Sequence, residues 1–218
     1  MLFDFSPLLS HGGEIVQGTL VTIEIAVVVA ILCVVGGLLV ASISLYAPLL
    51  LKLPVRFFIW LFMGTPLLLQ LYLLYFGVGQ VGIRFSALTT GIVGLGVHYM
   101  AYNADIFRAT ILSIDSGQFE ASRSLGLGRV RTFIYIIIPQ TLYRATPQIG
   151  NNLIIMLKDT SVLSMLGVAE LIHASQYVIA TSFRPFELYI SAAVIYYLLN
   201  LFMEYGLNVI DNKVEART

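Results

Sequence analysis

The sequence predicts an all-α membrane protein of about five transmembrane helices, and three observations carry that prediction. Of its 218 residues, 58% are apolar and only 11% charged, with a mean hydropathy of +0.90. Soluble domains carry about a quarter charged residues. The apolar residues gather into five stretches near the ~20 residues that a helix needs to cross a bilayer. The basic residues are distributed unevenly between the segments joining those stretches.

The first stretch, 19–46, is too long and too far from the N-terminus for a cleaved secretory signal. The residues before it include Asp4 and Glu14 but no Lys or Arg. Cys33, the single cysteine, lies within it; without a partner for an internal disulfide it reads as a packing residue. The second stretch, 55–76, is interrupted by Gly64–Thr65–Pro66. Pro66 removes a helical N–H and Gly64 leaves room for close approach, so a kink is expected there. The third, fourth and fifth stretches are 86–107, 148–168 and 186–207.

Between the third and fourth lies a polar segment, 108–144, rich in arginine. Within it, Ser113–Ile114–Asp115–Ser116–Gly117–Gln118 ends one helix and begins another. Gly117 lets the chain turn, and Asp115 or Ser116 accepts from the free N–H groups of the new helix. Helix-favouring residues continue to Gly126 and Gly128, which suit a left-handed stop. The expectation is a short exposed helix with Glu120 in its first turn, where the helix dipole favours negative charge. The apolar run beginning at Phe133 reaches Ala145 after about 13 residues, too few to cross. It reads as an interfacial or protein-packed helix leading into the fourth span, with Pro139 marking a break.

Orientation follows from the basic residues, which favour the cytoplasmic side. With the N-terminus outside, the inner segments hold Lys52, Arg56, Arg108, Arg123, Arg129, Arg131, Arg144, Lys213 and Arg217. The outer segments hold only Arg84 and Arg184, and Lys158 lies within a span; this accounts for all twelve. The segment 108–144 and the C-terminus are therefore expected in the cytoplasm. A net charge of zero suggests no nucleic-acid partner.

Lys158 and Asp159 fall at the midpoint of the expected fourth span. Each costs roughly 2.5–3.5 kcal/mol at a helix centre, against ~0.3–0.6 returned by each Leu, Ile or Val. Adjacent helical residues point about 100° apart, so these two need partners elsewhere. Gln148, Asn152 and Asp159 share one face of that helix, as His98, Tyr102 and Asp105 share one face of the third span. Two such stripes, face to face, would line a wetted cavity in which an ammonium and a carboxylate meet those of a zwitterionic amino acid. The alternative is that the charges lock helices together by buried pairing, with His98 a hydrogen-bonded packing residue.

The run Glu120–Ala121–Ser122, then Gly126, then an apolar stretch to Pro139–Gln140, resembles the EAA loop of ABC importer permeases, with Ser122 where alanine is usual. Ala101–Tyr102–Asn103–Ala104–Asp105–Ile106–Phe107–Arg108 resembles the signature preceding that loop, with Asp105 replacing a glutamate. Gly64–Thr65–Pro66–Leu67–Leu68–Leu69–Gln70 and Leu157–Lys158–Asp159–Thr160–Ser161 resemble blocks in the second and fourth spans. This order is similar to the polar amino-acid, histidine/glutamine-type branch, over about residues 18–210. Met63 departs from the family, which usually has an arginine before Gly64, and Ala109–Thr110 replaces a common pair of glycines.

The resemblance implies a type I ABC importer permease fold. It also implies a coupling helix that seats Gly117, Gln118, Glu120, Ala121, Ser122 and Gly126 in a cleft of an ATP-binding subunit. The candidate pathway residues are His98, Tyr102, Asn152, Lys158, Asp159, Thr160 and Ser161; Gly64, Thr65, Pro66 and Gln70 form a candidate gate or kink. The implied partners are two ABC ATPase subunits, a second permease (identical or homologous), an extracytoplasmic binding protein, a polar amino acid and membrane lipid, in a prokaryotic inner membrane. The chain has no G-x-x-x-x-G-K-[ST] loop, so ATP and Mg are assigned to the partner ATPases and no cofactor to this chain. It also lacks an H-E-x-x-H or similar spacing, so no metal site and no catalytic residues are expected.

Overall fold

A computed structural model describes residues 4–215, with side chains characterised as far as Val209; Arg217, counted among the inner charges, lies outside them. Every regular element among the described residues is helical. A short α1 (Ser6–Ser10) leads into α2 (Gly12–Tyr46), a helix of 35 residues. There follow α3 (Leu49–Met63), α4 (Leu67–Tyr72), a π turn (Leu73–Gly77), α5 (Val78–Gln80) and the 26-residue α6 (Ala87–Leu112). The polar segment contains α7 (Ser116–Ser124), α8 (Arg129–Thr132) and a second π turn (Phe133–Ile137). The chain then continues as α9 (Ile138–Asp159), a 3-10 stretch (Thr160–Leu166), α10 (Leu171–Ser182) and α11 (Pro185–Glu215).

Among the described residues, two helices are long and apolar enough to cross a membrane unaided: α2, and residues Pro185–Val209 of α11. Two more candidates are bent pairs, α3 with Leu67–Gln80 and Arg129–Leu166 with α10. The central helix is α6, which touches α2, α3, α4 and α9. Its enclosure explains its composition: shielded from lipid by protein, it carries glycines and polar groups that an exposed span would not tolerate. A side chain on Gly37 of α2 would meet Asn103 Cβ at 2.7 Å, so the closest α2–α6 approach requires glycine. The main core combines Ile25, Val29 and Cys33 with Leu71, Leu95, Tyr99, Met156 and Leu163, and Cys33 is fully buried. Large apolar side chains on the outside, such as Leu50, Trp60 and Phe202, are largely exposed, as lipid-facing residues are.

The breaks differ from expectation in three places. The kink expected at Gly64–Thr65–Pro66 is a sharp turn of 113°. Pro139 does not break its helix: it sits at the very start of α9, directly after the π turn. The wider backbone of that turn accommodates the proline ring and its missing N–H, so residues 129–166 follow one path. The bend comes later, at Gly167, whose φ of +80° favours glycine. The N–H groups of Gly167 and Val168 fold back onto the carbonyls of Ser164 (3.0 Å) and Leu163 (3.2 Å). The chain then leaves at 48° as α10, a helix within what was expected to be an outer connection.

Candidate functional site

Lys158 and Asp159 therefore do not lie in the middle of a continuous helix. They are its last two residues, where α9 gives way to the 3-10 stretch. Asp159 is half-buried and accepts a 2.6 Å hydrogen bond from the Tyr99 hydroxyl on α6. Lys158 is exposed and makes no ion pair among the described residues, and neither does Asp159. The expected α6 partners of the fourth-span stripe point differently. Asp105 lies 4.0 Å from Arg108, and His98 faces Gln70. Tyr99, the residue that reaches Asp159, was missed because buried aromatics in a membrane chain read as packing; its place between His98 and Tyr102 was the available signal.

The three rings form one group. His98 lies 5.2 Å from Tyr99 in an edge contact and 5.0 Å from Tyr102. His98 Nδ1 is 2.9 Å from Gln70 Oε1. The Gln70 amide nitrogen donates towards the carbonyls of Phe62 (2.9 Å) and Thr65 (3.0 Å) and the Thr65 hydroxyl oxygen (2.7 Å). Carbonyls only accept, which fixes the amide orientation and leaves Oε1 to accept from His98. His98 therefore donates from Nδ1, and Gln70 ties the 113° turn to the aromatic group.

The remaining pathway candidates separate. Asn152 is buried and donates to Asn103 Oδ1 at 2.6 Å, a helix-to-helix clasp between α9 and α6. Thr160 is fully buried; its hydroxyl donates to Leu157 O at 2.7 Å and lies 3.3 Å from the Tyr196 hydroxyl on α11. Ser161 donates back to Lys158 O at 2.7 Å. The structure thus brings His98, Tyr102 and Asp159 together around Tyr99, pairs Asn152 with Asn103 elsewhere on α6, and turns Thr160 towards α11.

The polar segment builds a second surface. The Asp115 carboxylate accepts from Gly117 N–H at 2.6 Å, so the chain turns at Asp115, and Gly117 lies inside α7. A side chain on Gly117 would come within 2.8 Å of that carboxylate, which would have to shift. Because α7 begins at Ser116, Glu120 falls in its second turn, not its first. Gly126, at φ +75°, ends the helix: the N–H groups of Gly126 and Leu127 return to Arg123 O (2.9 Å) and Ser122 O (3.0 Å), satisfying carbonyls that would otherwise be orphaned. Gly128 has φ −69° and precedes α8 instead. One face of α7 is anchored, with Phe119 packed near Ile111, Ile114 and Ile137 and Ser122 only 2% exposed. Gln118, Glu120, Ala121 and Leu125 face outward. Beside this helix, a cavity of about 690 Å³ is bounded by Tyr46, Phe119, Arg123, Arg129 and Phe133 among others.

Comparison with known proteins places the chain in a family. Residues 33–216 match the family described as "binding-protein-dependent transport system inner membrane component". The chain is 34% identical to the probable amino-acid permease protein YxeN of Bacillus subtilis, over 91% of this chain and 90% of that one. It is 35% identical to the probable amino-acid ABC transporter permease protein PatM of Vibrio harveyi, over 90% of each. Among solved structures, an amino acid ABC transporter crystallised with histidines superposes with a TM-score of 0.89 at 33% identity, covering 98% of this chain and all of that one. With its type I ABC importer permease fold, this membrane protein belongs to the binding-protein-dependent transport system inner membrane components, the permease subunits of ABC importers.

Proposed function

We propose that this chain carries a polar amino acid across a prokaryotic inner membrane by alternating access, driven by ATP hydrolysis in separate subunits. The observation that carries the reading is the pair Lys158 and Asp159, where α9 passes into the 3-10 stretch. Neither makes an ion pair among the described residues, and Asp159 sits beside Tyr99, His98 and Tyr102. Charged groups within a membrane chain are costly unless paired, coordinated or hydrated, and so mark pathways. A zwitterion supplies both missing partners: its ammonium to Asp159 and its carboxylate to Lys158. The names of the B. subtilis and V. harveyi relatives support the same cargo class.

In this reading the chain crosses five times, with α7 in the cytoplasm on the side where basic residues collect. The outward face of α7, with Gln118, Glu120 and Ala121, docks into an ABC ATPase subunit. Five crossings are too few to enclose a pathway, so two permease subunits pair above two ATPases, and an extracytoplasmic binding protein delivers cargo. ATP-driven closure of the ATPases moves the two α7 helices and tilts the spans above them.

The test uses the purified complex in proteoliposomes with its binding protein loaded in turn with L-arginine, L-histidine, L-glutamine and L-glutamate. At least one loaded form raises ATP hydrolysis several-fold and supports uptake. Failure of every polar amino acid, with an apolar one active instead, refutes the cargo class. Active protein isolated without any ATPase refutes the docking role.

A further inference from the structure

Outside the site described above, the most unusual group in the molecule is Glu170, a carboxylate with no exposure in a protein whose buried surfaces are otherwise mainly apolar. Its oxygens accept from the N–H groups of Ile172 (3.0 Å) and His173 (2.8 Å), capping α10. It also accepts from the Tyr196 hydroxyl at 2.9 Å. Tyr196, on α11, stands 3.3 Å from the Thr160 hydroxyl. The next free donor of α10, Leu171 N–H, reaches the Thr22 hydroxyl of α2 at 3.2 Å. Four parts of the chain therefore meet at one buried polar knot: α2, the 3-10 stretch, α10 and α11. Hydrogen bonds in such a low-dielectric interior resist breaking, because a group left unpaired there is costly.

The position of the knot gives it a consequence. Asp159 and Thr160 are consecutive, yet they are held from opposite sides. Asp159 is tied to α6 through Tyr99, and Thr160 lies 3.3 Å from the Tyr196 hydroxyl, which donates to the Glu170 cap of α10. Thr160 has one hydroxyl proton and two acceptors in reach, Leu157 O and Tyr196. With that proton on Leu157 O and the Tyr196 proton on Glu170, the 3.3 Å contact becomes a hydrogen bond only when Thr160 turns its proton to Tyr196, which a small movement of the 159–160 peptide decides.

We propose that Tyr196 and Glu170 are positioning residues for Asp159: they hold the peptide that carries the cargo carboxylate, and through it transmit occupancy of the site to α10 and α11. This rests on the assignment of Asp159 to cargo. Thr160, fully buried, acts in the knot and does not touch cargo.

The informative variant is Tyr196→Phe, because it removes the bridging hydroxyl and leaves the two backbone hydrogen bonds of the Glu170 cap in place. In reconstituted complex, with the amino acid that gives the greatest stimulation in the panel above, Tyr196→Phe raises the half-saturating concentration by about three- to tenfold, the equivalent of one lost hydrogen bond. Basal hydrolysis, maximal stimulated rate and assembly stay unchanged. Tyr99→Phe raises it similarly, and the double variant falls short of the product of the two effects, since both bonds restrain one peptide unit. An unchanged half-saturation in Tyr196→Phe, a loss of assembly alone, or fully multiplicative effects would each overturn the relay. Asp159→Asn separates the two claims. If it raises half-saturation and Tyr196→Phe does not, only the relay fails; if it changes nothing, the cargo reading falls as well.

Discussion

Replacing Gln70 with leucine tests how the 113° turn is held. The side chains are similar in size, so the change removes hydrogen bonds with little change in volume. The carbonyls of Phe62 and Thr65 lose their Gln70 donor, and the His98 Nδ1–H loses its acceptor. Hydrocarbon offers no water to replace them. An unsatisfied buried group costs about 1–3 kcal/mol; Gln70 and Thr65 are only half-buried, so the low end applies, giving about 3 kcal/mol for the three. For a chain of this size, that corresponds to a fall of roughly 6–12 °C in the midpoint of unfolding. Gln70→Glu is worse than Gln70→Leu, because it aims a carboxylate at two carbonyls. The assays are thermal unfolding of the purified complex and amide hydrogen exchange over residues 62–72, which rises in both variants. A Gln70→Leu protein with wild-type midpoint and wild-type exchange in that window would show that the turn stands without the amide.

Three further outcomes follow from the geometry. Gly37→Ala forces a Cβ to within 2.7 Å of Asn103 Cβ and 3.2 Å of the Ala104 nitrogen, so assembled complex in the membrane falls several-fold, measured by quantitative immunoblotting. At Gly126 nothing lies within 4 Å of an added Cβ, so its constraint is the φ of +75° alone. Gly126→Asn therefore keeps near-normal uptake, whereas Gly126→Val costs at least 1–2 kcal/mol of local stability and uncouples hydrolysis from uptake. Glu120→Lys reverses a charge on the outward face of α7 and weakens retention of the ATPase on affinity purification, with membrane insertion unchanged.

Much of the architecture was legible because a bilayer demands long apolar helices, and composition reports that demand directly. The two candidate surfaces were legible as well, one from a polar segment in an apolar chain and the other from charges at an expected midpoint. What escaped was whatever depends on how helices end. The π turn ahead of Pro139 restores continuity that a proline seems to forbid, and α10 has only 12 residues, too few to read as a span. The first-turn placement of Glu120 failed because Asp115, not Gly117, makes the turn. Partner choice was the other gap: helical phase puts Asn152 and Asp159 on one face, but only the rotation of α6 decides that one meets Asn103 and the other Tyr99. Glu170 drew no attention because a carboxylate just past an expected span reads as a solvated connector.

The length of α2 has a mechanical consequence. Thirty-five residues at 1.5 Å each make a rod of about 52 Å, against a hydrocarbon layer of about 30 Å. Such a rod leans steeply or projects from the bilayer. Its far tip, Tyr46, rests edge-on against Phe133, 4.9 Å between ring centres, beside the segment that carries α7. A push delivered there would travel along a stiff lever to Thr22 and Gly18, which lie against α10 some 24 and 28 residues, or about 36 and 42 Å, away. A continuous strut thus joins the segment that carries α7 to α10.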